Sequence, residues 1–232
     1  MFWTFVQPVQ ISSGLVTIDG PQGHHLARVL RVHPGERGVA VSNGREYELE
    51  VMQAAGSRVV GRIVDDRPVQ GEASTAITLL QAVLPNPDLD AVIEAGTAVG
   101  IQRFIVLQAE RSVARPPGNR LTRWRAIAAS AAEQSHRGQV PELMGPLSLS
   151  AGLEEVAGSR LLLLDPGADL PLGRAAGGSR SYTIAVGPEG GWTEAELTAF
   201  REHGAIAVSL GPRILRARLA PIVAAAILVQ QP

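Results

Sequence analysis

The sequence predicts an α/β protein built from two domains, and three observations carry that expectation. The first third holds short apolar runs with branched or alternating residues. Beyond a polar stretch, longer apolar runs alternate with segments of helical periodicity. Two of those later runs break into glycine turns, Val186-Gly187-Pro188-Glu189-Gly190-Gly191-Trp192 and Ser209-Leu210-Gly211-Pro212-Arg213-Ile214-Leu215-Arg216, which is the layout of a ligand pocket at strand ends.

In the first third, strands are expected at Phe2 to Val6, Leu15 to Ile18, Arg37 to Ser42, Tyr47 to Met52 and Arg58 to Val64, with Asn43-Gly44 as a hairpin turn. Pro21 to Leu30 reads as a short helix with Leu26, Val29 and Leu30 inward. One helix among several short strands suggests a small barrel. His24 and His25 invite a metal reading, but adjacent helical residues point in different directions and no third ligand suggests itself, so capping, packing or RNA contact is the plainer expectation. Arg28 and Arg31 share a helix face and could touch phosphate together.

The stretch Asp65 to Ser74 is polar and contains proline and glycine, and the periodicity changes across it. It divides the chain into expected domains at 1–70 and 74–232. In the second, strands are expected at Ile77 to Val83, Phe104 to Leu107, Leu161 to Leu164, Tyr182 to Val186 and Ala205 to Ser209; their near-continuous apolar character suits a parallel sheet covered on both faces. Helices are expected at Leu89 to Val99, Leu121 to Ser135 and Ala217 to Gln231. The last is apolar almost all round, so it must be covered by its own domain or by a second subunit.

The first glycine turn is followed by Thr193 and Glu196 at capping-box spacing, with Trp192 and Leu197 as the flanking staple, so a helix should run from Glu194 to His203. Strand, glycine turn and helix start could bind an anion or the edge of a flat ligand, or could be an ordinary connection.

Composition narrows the classes. The chain has no cysteine, which excludes disulfides and thiolate chemistry, and no lysine; with no G-K-[ST], no G-x-S-x-G and no G-x-G-x-x-G after the first strand of the second domain, P-loop, hydrolase-elbow and dinucleotide readings recede. The N-terminus lacks a signal-peptide pattern and no apolar run approaches a membrane span, so a cytoplasmic protein is expected. Net charge is −1, yet arginines 103, 111, 115, 120, 123, 125 and 137 face only Glu110 and Glu133 over one stretch. That excess could neutralise phosphates, or could be a solvated helix face.

GPEGGWTEAE followed by SLGPRILR resembles the C-terminal signature of the bacterial small-subunit rRNA uridine-N3 methyltransferases, the RsmE family of the SPOUT superfamily. HHLARVLR from His24, AERS from Ala109 and AAEQSHRGQVP from Ala131 occur in the expected order, so the likeness covers nearly the whole chain. It implies an N-terminal PUA-like β-barrel that holds RNA, a C-terminal SPOUT α/β domain with a trefoil knot, and a homodimer. It further implies S-adenosylmethionine bent against Leu163, Leu164 and Asp165, against Gly187, Pro188, Glu189 and Gly191, and against Leu210, Gly211, Ile214 and Leu215. The resemblance makes Arg111 and Arg216 candidates for the catalytic charge and Arg28, Arg31 and Arg137 candidates for RNA contact; it implies no metal and no membrane. Where the family usually reads LRTETA, this chain reads Leu215-Arg216-Ala217-Arg218-Leu219-Ala220, and Ala95 and Ala98 stand at the lysine and glutamate positions of the family's QKATELGV. A second expectation is therefore a divergent relative that binds RNA or another ligand without the usual transfer.

Overall fold

The structure is a computed structural model and describes residues 1–114 and 120–230. The chain forms two compact units, Met1–Glu72 with Glu133–Gln139, and Ala73–Ala132 with Val140–Pro232.

The first unit holds strands β1 (Phe2–Phe5), β2 (Ile11–Ser12), β3 (Leu15–Ile18), β4 (Arg37–Ser42), β5 (Arg45–Ala55) and β6 (Arg58–Pro68) in the order β1-β4-β5-β6-β3-β2. Only β1 and β4 pair parallel; the expected small barrel is a six-stranded sheet whose hydrogen bonding ends at β1 and β2. Asn43 and Gly44 both take positive φ, the conformation that a tight hairpin matching the strand twist requires. The β5–β6 pair runs longer than expected, with register shifts after Glu48 and Val51 that let it bend. Val16, Ile18, Leu26, Leu49 and Val59 form the core.

Helix α1 (Gly20–His24) continues into a π-helical turn, His25–Val29, in which the Leu30 N–H donates to the His25 carbonyl at 2.9 Å. This wider turn overturns part of the helix expectation. Leu26 points inward, but Val29 and Leu30 are 60% and 52% exposed, and Val32 takes the inward position instead.

Glu133–Gln139 belongs to this unit through long-range bonds that periodicity does not encode. Trp3 stacks on His136 with ring centroids 4.7 Å apart, and its indole N–H donates to the Arg137 carbonyl at 3.0 Å. Glu72 accepts from Arg137 Nε at 3.1 Å, Arg137 Nη2 at 2.7 Å and the Gly138 N–H at 2.9 Å. A Cβ on Gly138 would lie 1.9 Å from Val69 Cγ1, so only glycine fits there. Arg137 is thus a correction: it is 5% exposed, its guanidinium is spent on Glu72, and it is not placed to hold RNA.

The second unit is a fully parallel sheet of β7 (Ala76–Ala82), β8 (Arg103–Leu107), β9 (Glu142–Leu147), β10 (Arg160–Leu164), β11 (Ser181–Val186) and β12 (Ile206–Val208), ordered β12-β10-β11-β7-β8-β9. Around it lie α2 (Asp88–Ala98), α3 (Arg120–Gln134), α4 (Leu149–Glu154), α5 (Leu172–Ala175), α6 (Glu194–Glu202) and α7 (Ala220–Val229). Successive strand residues serve opposite faces: Leu79, Phe104, Leu162 and Ile184 in one cluster, Leu80, Ile105, Leu163 and Ala185 in the other. The apolar run through each strand has that cause.

Helix α7 buries Ala224, Ala225 and Leu228 and packs on α2, β7 and β11. It begins three residues later than expected because the Arg216 carbonyl accepts from the Leu219 and Ala220 N–H groups in a preceding turn; the expected end at Gln231 lies outside the described residues. Among the described residues no helix is long and apolar enough to cross a membrane.

Candidate ligand site at the strand ends

The carboxyl ends of β10, β11 and β12 meet the start of α7 around a cavity of about 380 Å³. Its size suits a small organic ligand, and its walls are mainly apolar side chains and main chain. Leu164, Asp165, Gly187, Pro188, Glu189, Gly191, Leu210, Gly211, Ile214 and Leu215 all line it. Strand alternation sends the Leu163 side chain into the opposite core cluster, so any contact from this residue would come from its main chain.

The first loop is held from several directions. Thr193 Oγ1 accepts the Glu196 N–H at 3.3 Å, and Glu196 Oε2 accepts the Thr193 N–H at 2.8 Å, completing the expected capping box. The second carboxylate oxygen of Glu196 accepts the Glu110 N–H at 2.9 Å, which ties the AERS segment to this loop. Arg111 Nη1 donates to the Gly190 carbonyl at 3.1 Å and the Trp192 carbonyl at 3.3 Å. Arg111 therefore stands behind the loop and is not among the cavity-lining residues, whereas Arg216 is.

Two glycines show why the wall is made of backbone. Gly191 has φ +69° and Gly211 has φ +98°, conformations that side chains resist, and at both a Cβ would meet open space. A ligand can therefore approach the peptide itself. Gly187 has a different duty, since a Cβ there would lie 3.1 Å from Trp192 Nε1, a buried donor that has no hydrogen-bond partner among the described residues.

The second loop is sparsely held. Ile214 is 85% exposed, Arg213 and Arg216 are exposed, and Leu219 is uncovered by half. Ala217 lines the cavity, while Arg218 turns to Asp88 at the start of α2, Nη1 to Oδ1 3.0 Å. Sequence reasoning had no signal for that pair, because its members lie far apart in the chain.

The expected arginine-rich stretch is not one cationic patch. Arg103 bonds Glu142 and Glu155, Arg123 bonds Asp90, and Arg137 bonds Glu72; Arg115 lies outside the described residues. Arg28 and Arg31 are both exposed in the first unit. Among the described residues no cluster of three or more His, Cys, Asp or Glu is arranged to hold a metal ion.

Both the parallel α/β unit with its backbone-walled cavity and the β-rich unit match models of RNA methyltransferase domains, so the chain is an RNA methyltransferase. The model of the RNA methyltransferase domain matches residues 71–229, and that of the RNA methyltransferase PUA domain matches residues 18–64. The chain belongs to the ribosomal RNA small subunit methyltransferase E family. It is 34% identical to the Mycobacterium tuberculosis ribosomal RNA small subunit methyltransferase E over 231 residues, 95% of this chain and 88% of that protein. The Synechocystis protein of the same name is 34% identical over 95% of this chain and 75% of its own length. The crystal structure of the Neisseria gonorrhoeae enzyme bound to S-adenosyl methionine superposes with a TM-score of 0.87 at 29% identity, covering 97% of this chain and 95% of that one.

Proposed function

We propose that this chain transfers a methyl group from S-adenosylmethionine to N3 of a uridine in small-subunit ribosomal RNA. The observation that carries the reading is the cavity between the two glycine loops, where Gly191 and Gly211 leave main chain uncovered. In this reading Leu210, Ile214 and Leu215 flank the adenine, and Leu164, Asp165, Gly187, Pro188 and Glu189 complete the cradle. When bound there, S-adenosylmethionine supplies an electrophilic methyl on a sulfonium.

The chain's own part is positioning and charge. Uridine N3 carries a weakly acidic proton and attacks only after losing it to solvent; the Arg216 guanidinium at the cavity wall favours the resulting anion. Arg111, donating to the loop carbonyls, adds charge from behind and holds the wall. Arg28 and Arg31 hold RNA phosphate from the first unit. We assign residues 1–70 to RNA retention and 74–232 to cofactor and transfer, with Glu133–Gln139 serving the first.

The finer architecture follows the same reading. The return of the chain from the sheet edge at β12 to α7 against β7 and β11 supports a trefoil knot through the 209–219 segment. The apolar residues Ile222, Val223, Ala226 and Ile227, left incompletely covered on α7, support a homodimer. A ribosomal RNA target supports a cytoplasmic location. A second reading, a relative that binds the cofactor but is retargeted, is favoured by Arg218 pairing with Asp88 where the family carries TET. Calorimetric titration with S-adenosylmethionine, then tritiated methyl transfer to undermethylated small subunits, decides: binding with transfer supports the first reading, binding without transfer the second, and no binding contradicts both.

A further inference from the structure

The first unit sorts its arginines into two sets. Arg37, Arg45, Arg62, Arg67 and Arg137 each bond a carboxylate of the unit. Among the described residues the guanidinium groups of Arg28, Arg31 and Arg58 have no ion-pair or hydrogen-bond partner, and all three residues are exposed. They stand at one end of the sheet. Gly23 of α1 packs so closely on the carbonyl of Ser57, the neighbour of Arg58, that a Cβ would lie 2.1 Å from it, and the π-helical turn bearing Arg28 packs on β6.

Between Arg28 and Arg31 the same turn holds Val29 and Leu30 out of the core, 60% and 52% exposed. An α-helical turn would put both on the face of Leu26. The His25 carbonyl instead accepts from Leu30, Arg31 sits at φ +54°, and both apolar side chains stay in solvent between two cations. Single exposed aliphatics are ordinary, but two neighbours bracketed by free guanidinia suit a ligand that is at once anionic and apolar. A nucleic-acid duplex offers phosphates and groove edges and keeps its base faces inside the stack. A single strand offers phosphates together with uncovered base faces.

We infer that Val29 and Leu30 receive an unstacked base of a single-stranded or looped RNA segment, whose phosphates Arg28, Arg31 and Arg58 hold. The inference rests on the RNA-directed reading above and narrows it: the first unit selects non-helical RNA, and Arg58 is a third phosphate contact. The apolar pair supplies the preference for strand over duplex, and the guanidinia supply the salt dependence common to both.

The test uses the full chain, with fluorescence-labelled single-stranded oligouridine and an RNA duplex of equal length as probes at several salt concentrations. The single strand should bind about ten-fold tighter than the duplex, and V29S/L30S should remove that preference while leaving duplex affinity unchanged. R58Q should weaken both probes and lower the single-strand salt slope by about 0.7. Both apolar side chains are already exposed, so melting temperatures should match the parent and separate lost binding from lost folding. Equal affinity for the two probes overturns the inference, as does a V29S/L30S variant that binds like the parent. A parent that dimerises through this pair and becomes monomeric in V29S/L30S also overturns it, because the pair then belongs to a protein interface. S-adenosylmethionine titration and methyl transfer on the same samples keep the two readings apart. Strand preference without cofactor binding defeats the methylation reading alone, and transfer without strand preference defeats this inference alone.

Discussion

The two loops that wall the cavity are built to opposite specifications. The loop from Gly187 to Trp192 is bonded to Arg111, leads into the capping box of α6, and is joined through Glu196 to the segment before Arg111. The loop from Leu210 to Leu219 has an ion pair at Arg218 and a turn at Arg216, with Ile214 and Arg216 in solvent. A wall fixed in advance can set where a ligand lies, whereas a loosely held wall can close over it afterwards. The difference predicts that the first loop sets where a ligand lies and that the second responds more to its arrival.

The largest expected effect breaks the fixed wall. Gly191→Val puts a branched side chain at φ +69° and projects it into the cavity, so S-adenosylmethionine affinity measured by calorimetry should fall by about 100-fold or more. Gly173→Ala, at a glycine whose Cβ would also meet open space but away from the cavity, should leave affinity as it is. Next comes chemistry at the second loop: Arg216→Gln should lower the turnover rate by about 10-fold to 100-fold with little change in cofactor affinity, which single-turnover transfer and calorimetry together resolve.

Removing a brace should register as stability. Glu196→Ala strands the Glu110 and Thr193 N–H groups and should cost about 1–3 kcal/mol in denaturant titration. A comparable brace exists in the first unit at Glu72. Burial pushes the Glu72 carboxyl up, but hydrogen bonds and charge from Arg137, with bonds from Gly138 and Gln139, outweigh it and hold the group below the usual glutamate range. A carboxyl whose folded pKa is depressed stabilises fully above its unfolded pKa, and that contribution is lost as pH falls through the folded value. Stability should therefore decline from the ordinary glutamate range downward, and Glu72→Gln should flatten that part of the acid profile. The smallest effect belongs to the half-exposed pair at the second loop: Arg218→Gln should weaken cofactor affinity about two-fold to five-fold, an effect that added salt reduces.

How far the sequence revealed this molecule depended on whether the governing interaction was local. The capping box at Thr193, the Asn43-Gly44 hairpin and the apolar strands of the parallel sheet are set by neighbours in sequence, and they stand where expected. So do the cavity-lining glycines. Strand β9 was not anticipated because Gly145-Pro146 interrupts its apolar run, and α4 and α5 are too short to establish a period. Val29 and Leu30 were misassigned because a π-helical turn shifts the period midway through a short helix. The resemblance makes Arg137 an RNA contact, and nothing in the sequence marks Glu72, far back in the chain, as its partner.

The measurement that reaches the centre of this account is amide hydrogen exchange of the full chain with and without S-adenosylmethionine. If the cofactor lies between the two loops, protection should rise in both, and more in 210–219, which is loosely held beforehand, than in 187–192. Protection that rises elsewhere in the chain and leaves both loops unchanged would contradict the placement of the site.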